Sequence, residues 1–268
     1  MPSYLITGTS RGIGYEFARQ LAQDKSNTVI GLVRNKVATD ERLAKDGITN
    51  VTIYEADITD FPALQKSAAE VAKLTGGNLD YLINNAASVS TASGYVDLTH
   101  YENNAEELNK ELSDAFQTNV IGVANTVTAF LPLIKKSTVK KIITISSGMA
   151  DIDLINSLSL GLGAPYSISK AATNALVAKY NAAFGSEGIL FMSISPGLVD
   201  SSEGKTPTPE QLEKLAPMIG AFAKYKPEFA GPISTKDSVE HVMKLVERAT
   251  VKEFGGAFVS HFGTKEWL

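Results

Sequence analysis

Tyr4-Leu5-Ile6-Thr7-Gly8-Thr9-Ser10-Arg11-Gly12-Ile13-Gly14 is a short apolar run that breaks into a turn carrying three glycines. A helical pattern follows through Phe17, Ala18 and Leu21 to Ala22. Strand, glycine-rich turn, helix is the context that gives such a turn meaning. Without side chains at Gly8, Gly12 and Gly14, the backbone turns tightly, lets a pyrophosphate approach, and packs the helix against a sheet. The helix start then offers unpaired amides and the positive end of its dipole to phosphates.

Outward from that unit the alternation continues without a break. Thr28 to Val33, Val51 to Tyr54, Leu79 to Ile83, Lys141 to Ser146, Ile189 to Ser195 and Ala257 to Ser260 read as further strands. Helices fall between them at about 36–46, 61–74, 103–135, 165–185 and 235–249. Such alternation predicts an α/β fold, a doubly wound parallel sheet of about seven strands with helices on both faces, in one domain spanning residues 1–268. Ligands of such a sheet bind at the carboxyl ends of the strands. Two stretches depart from the rhythm. Asp151 to Gly163 reads as a loop with two glycines and several leucines, and Leu198 to Pro232 is longer and punctuated by prolines, with a short amphipathic helix expected from Pro209 to Lys224. Loops of this length inside a compact domain tend to be lids or binding loops, so residues 198–232 are expected to be a substrate lid; the alternative is a tolerated surface insertion.

Composition narrows the classes. Hydrophobic residues make up 44% and charged residues 20% of 268 residues, as in a globular protein with a substantial core. The formal net charge of -4 gives no electrostatic case for nucleic acid or an anionic membrane, and Lys135, Lys136, Lys140 and Lys141 flank a helix end, where cations complement the dipole. There are no cysteines, which excludes disulfides and thiolate chemistry, and His100, His241 and His261 lack ligand spacing, so no metal is expected. Met1-Pro2-Ser3 runs straight into an apolar strand and no later run is long enough to cross a bilayer, which makes the cytoplasm the expected location.

The chemistry concentrates in Ala164-Pro165-Tyr166-Ser167-Ile168-Ser169-Lys170. Pro165 suits the first turn of a helix, and Ala171, Ala172, Ala175, Leu176 and Ala178 after it favour helix. Residues four apart share a face, so the Tyr166 hydroxyl and the Lys170 ammonium can approach one group. A cation beside a tyrosine favours the phenolate, and the pair could trade a proton near neutrality. Alone, the spacing is weak, since a Tyr and a Lys four apart on a helix usually mean a solvated face with a snorkelling lysine.

In chain order, Thr7-Gly8-x-x-x-Gly12-x-Gly14, Asp57, Asn84-Asn85-Ala86-Ala87, Asn119, Ser147, Tyr166-x-x-x-Lys170 and Pro196-Gly197 each fall at a strand end or on a helix. Over essentially its whole length the chain resembles the short-chain dehydrogenases/reductases in their short single-domain form, which implies a Rossmann fold. The resemblance implies that Tyr166 is the acid/base, that Lys170 holds the nicotinamide ribose and lowers the tyrosine pKa, that Ser147 rather than Ser146 binds the carbonyl oxygen, and that Asn119 holds a water linking Lys170 to solvent. It implies cofactor contacts from Gly8, Ser10, Arg11, Gly12, Ile13, Gly14, Arg34, Ile58, Ala86, Tyr166, Lys170, Pro196, Gly197, Val199 and Ser201. Asp57 would meet the adenine amino group and Asn84 the wall near the ribose.

Members that prefer NAD usually place an acidic residue at the end of the second strand. Here Val33 and Arg34 stand there, with Arg11 in the glycine turn. A guanidinium matches a phosphate in geometry and charge, so the expected cofactor is NADP(H). Ala87 replaces a usual glycine, and the Ser147–Tyr166 insertion and the tail Gly263-Thr264-Lys265-Glu266-Trp267-Leu268 depart from bacterial ketoacyl reductases. These features are more similar to sniffer-type and C-factor-like carbonyl reductases and to fungal ketoreductases like norsolorinic acid reductase. The implied activity is NADPH-dependent reduction of a ketone or aldehyde in an apolar small molecule. The expected pocket lies among Ser88 to Tyr95, Met149 to Leu162 and the lid, with Leu154, Ile155, Leu158, Leu160, Leu162, Met218, Ile219, Phe222 and Tyr225 making it apolar; the alternative is that these side chains pack on one another as core. Oxidation of an alcohol by the same residues, or a catalytically idle NADP-binding redox regulator, are the competing readings. The resemblance also implies a homodimer or homotetramer.

Overall fold

Alternate residues of a strand point to opposite faces of its sheet, and the core follows that rule from the first strand onward. β1 (Ser3–Thr7) is buried at every position; Leu5 enters the core on one side of the sheet and Ile6 the core on the other. The further strands are β2 (Thr28–Val33), β3 (Val51–Glu55), β4 (Tyr81–Asn84), β5 (Lys141–Ile145), β6 (Leu190–Ser195), β7 (Val199–Asp200), β8 (Ile233–Ser234) and β9 (Phe258–Ser260). The computed structural model describes residues 1–90, 93–204 and 206–268. Thr91 and Ala92, in the expected pocket wall, and Lys205, in the expected lid, lie outside the described residues.

Among the described residues, seven strands pair in parallel in the order β3-β2-β1-β4-β5-β6-β9. From β1 the chain builds towards β3 on one side, then crosses to β4 and builds the other way. Crossovers in both directions part above the carboxyl ends of β1 and β4, and this is where a doubly wound sheet opens a crevice.

The helices are α1 (Gly12–Leu21), α2 (Lys36–Lys45), α3 (Phe61–Thr75), α4 (Ala105–Phe116), α5 (Gly122–Ile134), α6 (Ile152–Leu158), α7 (Ala164–Phe184), α8 (Pro209–Tyr225), α9 (Thr235–Arg248) and the single turn α10 (Val251–Phe254). Phe17 and Leu21 of α1 and Val242 and Val246 of α9 cover one face of the sheet, against Ile6, Ile83 and Ile143. Leu64 and Val71 of α3, Val127 and Phe130 of α5 and Val177 of α7 cover the other, against Leu5, Leu82 and Phe191. With both faces covered, the strands read as nearly continuous apolar runs.

Three features differ from the sequence expectation. The helix expected at 103–135 is two helices, α4 and α5, joined by a π-helical turn at Gln117–Ile121. No glycine or proline marks the turn, so the apolar pattern passes through it. The expected loop 151–163 contains α6, capped where Asp151 Oδ1 accepts the Leu154 N–H at 2.9 Å. Seven residues are two turns, too few to show a helical period. The ends of the 198–232 segment are stapled by a parallel pairing of β7 with β8, two residues each.

Candidate active site

The crevice is a cleft of about 700 Å³ lined by the glycine turn, the ends of β2 and β4, the π-helical turn, the end of β5, Tyr166, Lys170, Pro196 and Ser201. Its floor depends on close backbone packing. A Cβ added at Gly14 would lie 2.2 Å from the Gly8 carbonyl oxygen and 2.4 Å from Asn85 Nδ2, so no side chain fits there. Thr7 ties the two central strands together: its Oγ1 accepts the N–H groups of Asn85 and Ala86, each at 3.0 Å, while Asn85 Nδ2 donates to the Thr7 carbonyl at 2.9 Å.

At the far end of the cleft, Pro165 sits in the first turn of α7 and fixes the start of the helix that carries Tyr166 and Lys170. The Lys170 Nζ lies 5.7 Å from the centroid of the Tyr166 ring and donates to the Ile145 carbonyl at 2.7 Å. Burial lowers the Lys170 pKa to about 8. Burial likewise raises the Tyr166 pKa to about 12, opposed by a hydrogen bond with the Ser147 hydroxyl. The expected lowering of the tyrosine by a neighbouring cation is therefore not the leading effect here; desolvation of the ring is. Ser147 Oγ also accepts the Met149 N–H at 3.2 Å, capping a short turn. Ser146 lines the cleft with a buried hydroxyl that has no hydrogen-bond partner among the described residues.

Asn119, fully buried in the π-helical turn, joins three elements. Its Oδ1 accepts the Ser88 N–H at 2.7 Å, and its Nδ2 donates to the Ser88 carbonyl at 3.0 Å and to Ser169 Oγ at 2.9 Å. The Asn119 carbonyl accepts the Thr173 hydroxyl at 2.8 Å. A π turn displaces the backbone from its helical register, and such turns are frequent at functional sites.

A family model described as short chain dehydrogenase matches residues 3–212. The chain belongs to the short-chain dehydrogenase family. It is 45% identical over 271 residues to the short chain dehydrogenase virK of Hypocrea virens and 48% identical over 269 residues to the short-chain dehydrogenase/reductase AacuF of Aspergillus aculeatus, each alignment covering all of both chains. Among solved structures it is similar to an NADPH-bound carbonyl reductase from chicken fatty liver, with a TM-score of 0.75 at 26% identity. The carbonyl reductase Sniffer of Drosophila melanogaster has the same fold, with a TM-score of 0.77 at 24% identity. Both alignments cover 98% of each chain.

As a short-chain dehydrogenase/reductase, the protein is an oxidoreductase of small molecules, and the site residues expected from its sequence fall into two groups. Gly8, Ser10, Arg11, Gly12, Ile13, Gly14, Arg34, Asp57, Ile58, Ala86, Tyr166, Lys170, Pro196 and Ser201 line the one cleft. Asn84, Asn119, Ser147, Gly197 and Val199 do not line it. Asn84 is buried, its Nδ2 donating to Thr144 Oγ1 at 3.4 Å, and Asn85 lines the cleft instead. Strand alternation at the end of β4 carried that signal, since Asn84 and Asn85 must face opposite ways. Ser88, the first residue of the expected pocket wall, lines the cleft as well, and so do Gln117 and Thr118, which were not expected from the sequence. Asp57 accepts the Thr59 N–H at 2.9 Å and its hydroxyl at 2.7 Å through Oδ1.

The expected apolar wall is divided. Leu154, Leu160 and Phe222 are buried with Trp267 in a small core of their own, beneath α6 and α8. Leu160 also lines a separate cavity of about 620 Å³ with Leu158, Leu162, Met218, Val96, Asp97, His100 and Lys214, and Leu158 and Met218 pack against that core as well. Ile219 and Tyr225 are exposed. No helix among the described residues is long and apolar enough to cross a membrane.

Proposed function

We propose that this chain is an NADPH-dependent reductase that converts the carbonyl of an apolar ketone or aldehyde to an alcohol, with Tyr166 as proton donor. The observation that carries this reading is that Tyr166 and Lys170 stand together at one end of a cleft whose other end is the glycine turn with Arg11 and Arg34. With its pKa pushed up to about 12 by burial, the Tyr166 hydroxyl is a protonated acid at neutral pH. Such a hydroxyl can supply the proton that reduction of a carbonyl takes up.

The residues present fit a dinucleotide. The glycine turn packs closely beneath the cleft and lines it, the start of α1 presents main-chain N–H groups, and the cleft runs from there to Tyr166. Arg11 and Arg34, both exposed at its rim, would bind the 2′-phosphate, and Asp57 the adenine amino group. The NADPH named for the similar chicken carbonyl reductase supports the same choice. NADPH, when bound, supplies the hydride. As the carbonyl carbon gains it, the C=O electron pair moves to oxygen and takes the Tyr166 proton. Ser147 donates a hydrogen bond to that oxygen as charge develops. Lys170, held by the Ile145 carbonyl, steadies the nicotinamide ribose and compensates the phenolate left behind. Asn119 positions the Ser88 segment and α7 around the site, and residues 198–232 act as the lid. The apolar side chains expected around the substrate, Leu158, Leu160, Leu162 and Met218, support an apolar substrate, although the cavity they line also carries Asp97, His100 and Lys214.

NADPH consumption against a panel of ketones, diketones and aldehydes tests the proposal, with NADH and Tyr166→Phe in parallel. The expected result is turnover with NADPH, much less with NADH, and a kcat lower by about 10²- to 10⁴-fold in Tyr166→Phe with NADPH binding retained. Undiminished turnover in the variant would remove Tyr166 from its role. NADPH binding without turnover across the panel would favour a redox regulator.

A further inference from the structure

Gly12 opens α1, and its main-chain N–H is one of the unpaired donors that a helix start presents to an anion. In this structure the donor already has an anion. Glu203, from the loop that begins the lid, accepts the Gly12 N–H at 3.2 Å and the Arg42 Nη1 at 2.7 Å on the same Oε1. Arg42 is itself fixed: its Nη1 also donates to the Ser10 carbonyl at 3.1 Å, and its guanidinium lies 3.9 Å from the centroid of the Tyr15 ring. Ser201 of the same loop lies against the glycine turn, 3.4 Å from where a Gly12 Cβ would be.

The loop adopts an unusual backbone to reach this position. Glu203 and Gly204 are left-handed, with φ of 53° and 84°. A glutamate seldom takes that conformation unless its surroundings hold it there. Burial works against the Glu203 carboxylate, yet the hydrogen bonds from Arg42 and Gly12 and the charges of Arg42 and Arg11 hold its pKa below the usual value. The chain thus supplies its own anion to a donor that faces the cofactor cleft, beside the Ser10 and Gly12 that line it.

We infer that Glu203 is an internal competitor of the cofactor pyrophosphate, latched over the start of α1 by Arg42, and that cofactor entry requires it to leave together with the first turns of the lid. The inference rests on the NADP(H) reading of the cleft. Two anions cannot share one N–H donor, so the latch sets cofactor affinity and couples it to lid movement. Since the pyrophosphate is common to both nicotinamide cofactors, the latch acts on NADPH and NADH alike. Arg11 and Arg34, at the expected 2′-phosphate, set the ratio between them instead.

Dissociation constants of NADPH and NADH for the wild type, Glu203→Gln and Glu203→Asp test this. Glutamine keeps the length and removes the charge; aspartate keeps the charge but is too short to reach Gly12 and Arg42 together. Both variants are expected to bind both cofactors about three- to tenfold more tightly, with the NADPH:NADH ratio unchanged. Tightening in Glu203→Gln but not in Glu203→Asp would mean that only the general field of the carboxylate matters, and would overturn the latch. No tightening in either variant would also overturn it, while leaving the cofactor reading intact. A wild type that binds neither cofactor would overturn that reading and the latch with it.

Discussion

Lys170 is 3% exposed, and its ammonium lies in the protein interior with the Ile145 carbonyl as acceptor. Burial holds its pKa near 8 against about 10.4 in the unfolded chain, so folding at neutral pH carries the cost of a desolvated charge. A functional group is kept there at the expense of stability. Lys170→Met is therefore expected to be inactive yet more stable than the wild type, by about 2 kcal/mol at pH 7. The difference fades with pH: as pH rises from about 8 to about 10.4 the folded lysine is already neutral while the unfolded one is not, so the wild type catches up. Urea denaturation of both proteins at neutral and alkaline pH checks this, and a destabilised variant at neutral pH would show that the ammonium contributes more than its burial costs. Tyr166 and Lys170 were legible in the sequence because the spacing of four on a helix and the Pro165 before it leave little freedom. The reversal of the tyrosine shift was not legible, because it depends on how much of the ring the finished fold covers. The exchange of Asn84 for Asn85 was legible in principle, from a single step of strand alternation.

Elements were legible in proportion to their length and to the chemistry of their ends. The seven long strands, the helices on both faces and α8 all stand within a few residues of their expected positions, because each has either an apolar run or a cap that announces it. The π-helical turn at Gln117–Ile121 and the two-residue pairing of β7 with β8 have neither, and α6, though capped by Asp151, is too short to show a helical period. α8 shows what a cap contributes. Thr208 and Gln211 form a reciprocal capping box, in which Thr208 Oγ1 accepts the Gln211 N–H at 3.2 Å and the Gln211 side chain accepts the Thr208 N–H at 2.9 Å. Along most of its length the helix is exposed, with Phe222 as its buried anchor, so its first turn depends on that box more than on packing. Thr208→Ala is expected to destabilise α8 locally by about 1 kcal/mol. Hydrogen exchange at the first amides of α8 should accelerate about fivefold while those of β1 and β5 stay unchanged. Equal acceleration throughout would mean that α8 unfolds only with the whole domain, and would remove independent lid motion.

At the scale of the molecule, the order of the sheet places the cofactor cleft above β1 and β4, and the last strand closes the structure behind it. β9 pairs with β6 and leads into His261, which is 4% exposed. The ring packs under the Pro196-Gly197 turn, so closely that a Cβ added at Gly197 would lie 2.8 Å from its Cε1, and its centroid is 5.4 Å from that of His241 and 3.9 Å from that of Phe262. The sequence showed three scattered histidines; only the fold brings two of them together. Burial first, and then the charges of His241 and Lys226, lower the His261 pKa to about 4, opposed by a hydrogen bond with the Ser195 main chain. The native state thus keeps this ring neutral, while the unfolded chain takes up a proton near pH 6.5. Stability from His261 is complete above about pH 6.5 and declines as pH falls towards about 4, by roughly 3 kcal/mol in all. Carboxylates add their own acid sensitivity, so the measurement is a comparison: urea denaturation of the wild type and His261→Gln across this window. The wild type should lose stability more steeply with acid than the variant, and the excess should end near pH 4. Parallel curves would show that His261 protonates without opening the fold, and the acid lability would then belong to the carboxylates alone.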